Sequence, residues 1–232
     1  MSEPNDLGLP AHITACLFDL DGVITQTAAV HAQAWKQVFD EFQVPFRLPD
    51  DYDAYVDGKP RADGVRSVLE AKHVPVKEDL VEAIAARKDD LFLSLIHRHG
   101  VQTYAGSIEY VHAVKESGRR IAVVSSSKNT TEVLKAARLD HLFEAQVDGL
   151  VAEREHLHGK PNPDTYLRAA EMLHKVPSEA AVYEDALAGV AAGKAGHFGL
   201  VIGIDRARQA EALKQHGADV VVEDLAELLQ PA

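Results

Sequence analysis

Five short apolar runs stand out along the chain: ITACLF at 13–18, IAVV at 121–124, AAVY at 180–183, LVIGI at 200–204 and DVVV at 219–222. Each has the length and β-branched content of a strand. Segments 129–138, 163–174 and 207–216 instead repeat their apolar positions at helical spacing. Strands alternating with helices predict right-handed crossovers and a mostly parallel sheet covered on both faces. The fold class is therefore α/β, a doubly wound, Rossmann-like parallel sheet. Residues 29–103 break the pattern, with helix-period stretches at 29–43, 61–72 and 77–99 and no convincing strand. They read as an inserted helical domain, interrupted at Pro49, Asp50 and Asp51 and left through Gly100 and the Tyr104-Ala105-Gly106 turn. The expected organisation is a core domain from 1–28 and 104–232 around a helical cap at 29–103.

Composition narrows the functional classes. The chain has 232 residues, 46% hydrophobic and 26% charged, and a formal net charge of −12, so a nucleic-acid partner is not expected. An anionic ligand would need a metal and a few local cations. Cys16 is the only cysteine, which excludes an intrachain disulfide and fits a reducing, cytoplasmic setting. The opening MSEPNDLGLPAHI carries acids and no apolar signal-peptide core, and reads as a loose leader. No run approaches the ~20 apolar residues of a membrane helix. Nothing in the pattern signals oligomerisation, and a monomer is expected.

Four motifs carry candidate chemistry, each at the end of a predicted strand or the start of a helix. Phe18-Asp19-Leu20-Asp21-Gly22 puts two carboxylates two residues apart beside a glycine, which suits one as nucleophile and the other as proton donor. Ser125-Ser126-Ser127-Lys128-Asn129 offers hydroxyls and backbone amides to phosphate oxygens. In Gly159-Lys160-Pro161-Asn162-Pro163-Asp164, Asn162 reads as a helix cap, Pro163 as the first helical residue and Lys160 as a point charge for phosphate. Glu184 and Asp185 complete with Asp19 an oxygen-rich cage of the kind Mg²⁺ prefers. Each motif alone has a bland alternative, a capped helix or a solvated turn; four at once require four coincidences at four strand ends.

With these residues in place the sequence resembles the haloacid dehalogenase superfamily over nearly its whole length. The resemblance implies Asp19 as nucleophile and Asp21 as general acid/base. It also implies Ser125 and Lys160 as phosphoryl-positioning groups and Mg²⁺ held by Asp19, Glu184, Asp185 and the Asp21 main-chain carbonyl. Within the superfamily the chain is most similar to the β-phosphoglucomutase family, through FDLDGVITQTAAVHAQAW with His31 and Trp35, the SSSKN loop and Gly58-Lys59-Pro60-Arg61. That resemblance implies a small phosphorylated sugar as partner, contacted by His31, Trp35, Gly58, Arg61, Lys88, Ser126, Ser127, Lys128 and Asn129. Arg61 would hold a second phosphate, and Lys88 with His31 would align Asp21, whose pKa should be raised by neighbouring acids. Two departures stand out: Gln26 replaces a usual acid, and residues 151–158 read as extra loop. Glu153, Glu155, His156 and His158 in that segment match no standard zinc spacing. The expected reaction is conversion of β-glucose 1-phosphate to glucose 6-phosphate through the 1,6-bisphosphate. The alternatives are a sugar-phosphate phosphatase of the same fold and a non-catalytic binding protein.

Overall fold

The structure, a computed structural model, describes residues 7–229. In chain order the elements are β1 (Ala15–Phe18), α1 (Thr27–Glu41), α2 (Asp50–Tyr55), α3 (Arg61–Ala71), α4 (Glu78–His99), α5 (Ala105–Glu116), β2 (Arg120–Val124) and α6 (Thr130–Ala136). They continue with β3 (Ala145–Val147), α7 (Gly149–Glu155), α8 (Asp164–Met172), β4 (Ala180–Glu184), α9 (Leu187–Ala195), β5 (Leu200–Ile204), α10 (Ala210–His216) and β6 (Val220–Val222).

The strands form one parallel sheet in the order β3-β2-β1-β4-β5-β6. The winding reverses between β1 and β4, and the crevice beyond the carboxyl ends of those two strands is where open α/β sheets bind ligands. All four residues of β1 and all five of β4 are buried, as expected of strands covered on both faces. Their side chains alternate: Cys16 and Phe18 enter one core, Ala15 and Leu17 the other. Phe18 stacks on Tyr183 at 4.3 Å between centroids, which ties the two strands that flank the reversal. Burying such a ring contributes roughly 1.5–3 kcal/mol.

Helices α1 to α4 lie outside the sheet and pack on one another through Val38, Phe39, Val68, Leu69, Ile84 and Phe92. The chain passes to them at 24–26 and returns at 102–104. The two passages are hydrogen-bonded to each other, Gln26 N to Gln102 O at 2.8 Å and Tyr104 N to Ile24 O at 3.0 Å.

Four sequence expectations need correction. The pattern predicts no strand at 145–147, since Ala-Gln-Val is short and carries a polar residue, yet β3 forms there. Segment 151–158 is mostly helix: the Asp148 carboxylate accepts from the Leu150 and Val151 amides and starts α7, which ends at His156 in a left-handed conformation. Helix α8 begins at Asp164 with Pro163 as its cap, while the Asn162 amide donates to the Gly159 carbonyl instead of capping. The leader expectation fails for its described part, since Leu7 and Leu9 are buried and the Tyr110 hydroxyl donates to Leu7 O; residues 1–6 lie outside the described residues.

Candidate active site

Three strand ends and one loop meet at the crevice. Asp19 follows β1, Ser125 follows β2, Glu184 ends β4, and Lys160 arrives from the loop before α8. All four are buried, along with Asp185. The Lys160 ammonium donates to Asp19 Oδ1 at 2.5 Å and also contacts Glu184 Oε1. Glu184 in turn accepts from the Tyr166 hydroxyl at 2.9 Å and the Ala186 amide at 3.1 Å, so it is fixed from three sides. Its seat depends on Gly189, where an added Cβ would lie 1.7 Å from Oε1. Gly22 has a φ of +92° and sits so close to Asp185 that a Cβ would meet Oδ2 at 1.8 Å. Only glycine satisfies both the left-handed backbone and the approach.

Asp19, Glu184 and Asp185 offer carboxylate oxygens within 4.8 Å of one another, the one such group of three among the described residues. One ammonium faces these three carboxylates. Burial pushes Asp19 well above the ordinary carboxylate range, against the pull of Lys160 and reinforced by Glu184 and Asp21. Asp185 is raised by burial and then by Asp57, Glu184 and Asp19. Burial opposes the charge on Lys160, yet the two carboxylates outweigh it and hold its proton more tightly than usual. A buried, all-oxygen set with surplus negative charge fits a hard divalent cation.

Asp21 has a separate environment. Its Oδ1 takes the Thr27 hydroxyl and His31 Nε2, the latter at 3.2 Å, and its Oδ2 takes the Ser125 hydroxyl at 3.3 Å. His31 Nδ1 meets the buried Lys88 ammonium. An ammonium can only donate, so Nδ1 accepts and Nε2 carries the proton that goes to Asp21. The expected rise in Asp21 pKa is corrected: burial does push it up, but His31, Thr27 and Lys88 outweigh burial and bring it down to about 2. Burial, and then Arg61, lowers Lys88 to about 7 against Asp21 and Asp89. Burial and Lys88 likewise lower His31 against Asp21.

These groups line a cavity of about 830 Å³ between the sheet and helices α1 to α4. His31, Trp35, Gly58, Arg61, Lys88, Ser126, Ser127 and Lys128 are all on its wall. Trp35 is only 4% exposed and stacks on Phe39, so most of its ring is core. The Ser126 hydroxyl donates to Gly58 O at 2.7 Å, and Lys128 pairs with Glu153 at 2.8 Å. Asn129 is not on the wall: its amide donates to Asp89 Oδ1 at 2.6 Å, and Arg61 Nη2 reaches the same oxygen at 2.6 Å. Gln26 donates to Thr103 O. In the 151–158 segment Glu153 pairs with Lys128, Glu155 with Arg168 and Arg154, and the His158 ring with Asp164.

Sequence reasoning missed Asp57, Tyr52, Tyr166 and Asp89. Asp57 accepts from the Tyr52 hydroxyl and faces the core acids; burial first, then Glu184, pushes it up to about 7. Preceding Gly58, it reads in sequence as an ordinary turn acid. Tyr166 had a usable signal, one helical turn after the lysine loop.

A parallel sheet with this winding, an acid pair at the reversal and a buried lysine define a class of protein, and the comparisons name it. The family model of haloacid dehalogenase-like hydrolases matches residues 13–197. The chain belongs to that superfamily and, within it, to the β-phosphoglucomutase-like family. A β-phosphoglucomutase from Mycobacterium bovis is 48% identical over 246 residues, spanning 96% of this chain and 94% of the relative. A phosphorylated carbohydrates phosphatase from Thermotoga maritima is 26% identical over 90% of this chain and 93% of its own. The crystal structure of a β-phosphoglucomutase from Clostridium difficile superposes with a TM-score of 0.81 at 27% identity, covering 93% of each chain. The protein is thus an enzyme, a phosphotransferase or phosphatase, and the non-catalytic alternative falls. No helix among the described residues is long and apolar enough to cross a membrane.

Proposed function

We propose that the protein is a β-phosphoglucomutase, converting β-glucose 1-phosphate to glucose 6-phosphate through the 1,6-bisphosphate, as a cytoplasmic monomer. The observation that carries this reading is the chain of contacts from Lys88 through His31 to Asp21. It lets helices α1 and α4 set the charge and orientation of the one carboxylate placed to handle a proton. A phosphatase needs an acid beside its nucleophile; a mutase must also keep water from the phosphoenzyme until a sugar hydroxyl arrives, which a proton-handling group aligned by the cap achieves.

Asp19, held by Lys160, carries the phosphoryl group as an aspartyl phosphate. Asp21, ionised at rest, takes the proton of the sugar 6-hydroxyl as that oxygen attacks phosphorus and frees Asp19. The bisphosphate turns over, Asp19 attacks the 1-phosphoryl group, and Asp21 returns the same proton to the departing sugar oxygen. Protons and phosphoryl groups balance over the cycle. Ser125, Lys160 and the amides of the Ser126–Ser127 loop hold the transferring phosphate, and Arg61 with Lys128 faces the distal one. Mg²⁺ would be held by Asp19, Glu184, Asp185 and the Asp21 main-chain carbonyl, and when bound it offsets repulsion between carboxylates and phosphate.

The second reading, a sugar-phosphate phosphatase, is favoured by one observation: Arg61 and Asn129 are both engaged by Asp89. An assay with β-glucose 1-phosphate, Mg²⁺ and a trace of glucose 1,6-bisphosphate separates the two. Glucose 6-phosphate without inorganic phosphate is expected, and stoichiometric phosphate release without it would eliminate the mutase.

A further inference from the structure

Arg61, the donor expected to meet the distal phosphate, is not free. Arg61 begins α3 and Asn129 immediately precedes α6, on opposite sides of the cleft, yet both point to a single oxygen of Asp89 on α4. The two 2.6 Å contacts converge as donors converge on a phosphate oxygen. The Arg61 and Asp89 side chains are 19% and 28% exposed, so water screens the pair only partly. The same junction is closed a second time, by Ser126 on Gly58 O. Lys88, the neighbouring buried cation on α4, feels both the Arg61 and the Asp89 charges.

We propose that Asp89 is a specificity-determining residue, its carboxylate occupying the donors of Arg61 and Asn129 so that a second anionic group on the substrate binds only by displacing it. The inference rests on the assignment of Arg61 as the distal anchor under the proposed function. On the unphosphorylated enzyme a sugar monophosphate, seated by the core loops alone, leaves the Asp89 contacts undisturbed; with a phosphoryl group on Asp19 the sugar's own phosphate becomes the distal one and must displace Asp89. A bisphosphate must break both, or bring a second negative charge beside a carboxylate sharing the same guanidinium. Asp89 therefore weights the unphosphorylated enzyme against bisphosphates. In the ligand-free state the same contacts link cap to core.

The test uses the full chain carrying Asp19→Ala to stop turnover, with binding measured by calorimetry in Mg²⁺. Adding Asp89→Asn, which preserves shape but removes the charge, should tighten glucose 1,6-bisphosphate by about tenfold, the equivalent of ~1.4 kcal/mol. Affinity for β-glucose 1-phosphate should change less than about twofold. The gain should vanish when Arg61→Ala is combined with Asp89→Asn, a coupling that a merely structural aspartate would not produce. Asp89→Ser serves as the second variant should Asp89→Asn fail to fold. Unchanged or weaker bisphosphate binding in the Asp89 variants, while Arg61→Ala weakens it, overturns this proposal and leaves the anchor standing. If Arg61→Ala alone leaves bisphosphate affinity unaltered, the anchor assignment fails as well.

Discussion

The two walls of the cavity carry similar residue types but hold them differently. On the sheet side, Asp19, Ser125, Glu184 and Asp185 sit at strand ends whose parallel register positions them before any side chain is considered. They are fixed from several directions, as with the three contacts on Glu184. On the helical side, His31, Arg61 and Lys88 come from three helices, and Asp89, next to Lys88 but off the wall, holds Arg61 and draws in Asn129 from across the cleft. The contrast teaches that the sheet supplies charge, while the helices supply control of that charge and depend on docking to exert it. Changes on the sheet side should therefore abolish chemistry or unfold the site, and changes on the helical side should retune it.

The largest effect should come from Asp19→Ala, with loss of turnover on the order of 10⁴-fold or more and no phosphoryl group trapped on the protein by mass spectrometry. Chelation of Mg²⁺ should silence the intact enzyme to a similar extent, and residual activity above a few per cent in EDTA would break the assignment of Asp19, Glu184 and Asp185 as ligands. Lys160→Ala leaves the buried carboxylates without the one ammonium that faces them among the described residues, and denaturant titration should show ~3–5 kcal/mol of lost stability. Mg²⁺ should restore part of it. A loss below about 1 kcal/mol would mean that water already screens the site.

Lys88→Ala is the sharper probe of the helical side. It should lower kcat roughly 10²-fold with little change in stability, since it frees His31 to swing and removes a positive influence on Asp21. Mutase and phosphatase rates both unchanged would remove the cap from the mechanism.

The smallest effect is a slope. Asp57 moves from an ordinary 3.8 to about 7 on folding, so the folded state binds the extra proton between those values. Its contribution to stability is complete below about pH 4 and is lost as pH rises through about 7. Metal-free Asp57→Asn should therefore show a flatter dependence of denaturation midpoint on pH across that window. An unaltered slope would show that Asp57 is ionised throughout.

What the sequence reveals follows the same division. Asp19, Lys160, Glu184 and Asp185 are legible because each directly adjoins an apolar run or a proline-marked turn, so their meeting point follows from parallel topology alone. Asp57 and Asp89 are not, because an acid in a turn or on a helix looks the same whether it faces water or a distant guanidinium. The direction of the Asp21 pKa is hidden for a related reason: its acidic neighbours are close in sequence, whereas Lys88 lies 67 positions further along and reaches it only through the packed helices. Helix α7 was readable from Asp148, but its charged, His-bearing sequence masks a capped turn as loop.

The paired passages at 24–26 and 102–104 have a mechanical consequence. Two strands of linker tied to each other resist twisting and sideways slip far more than bending. Were the helical unit to open, such a joint would favour one axis, as a door has, and would bring His31 back onto the same oxygen of Asp21. A looser joint would leave that alignment to chance on every cycle, and the proton would have to wait for it.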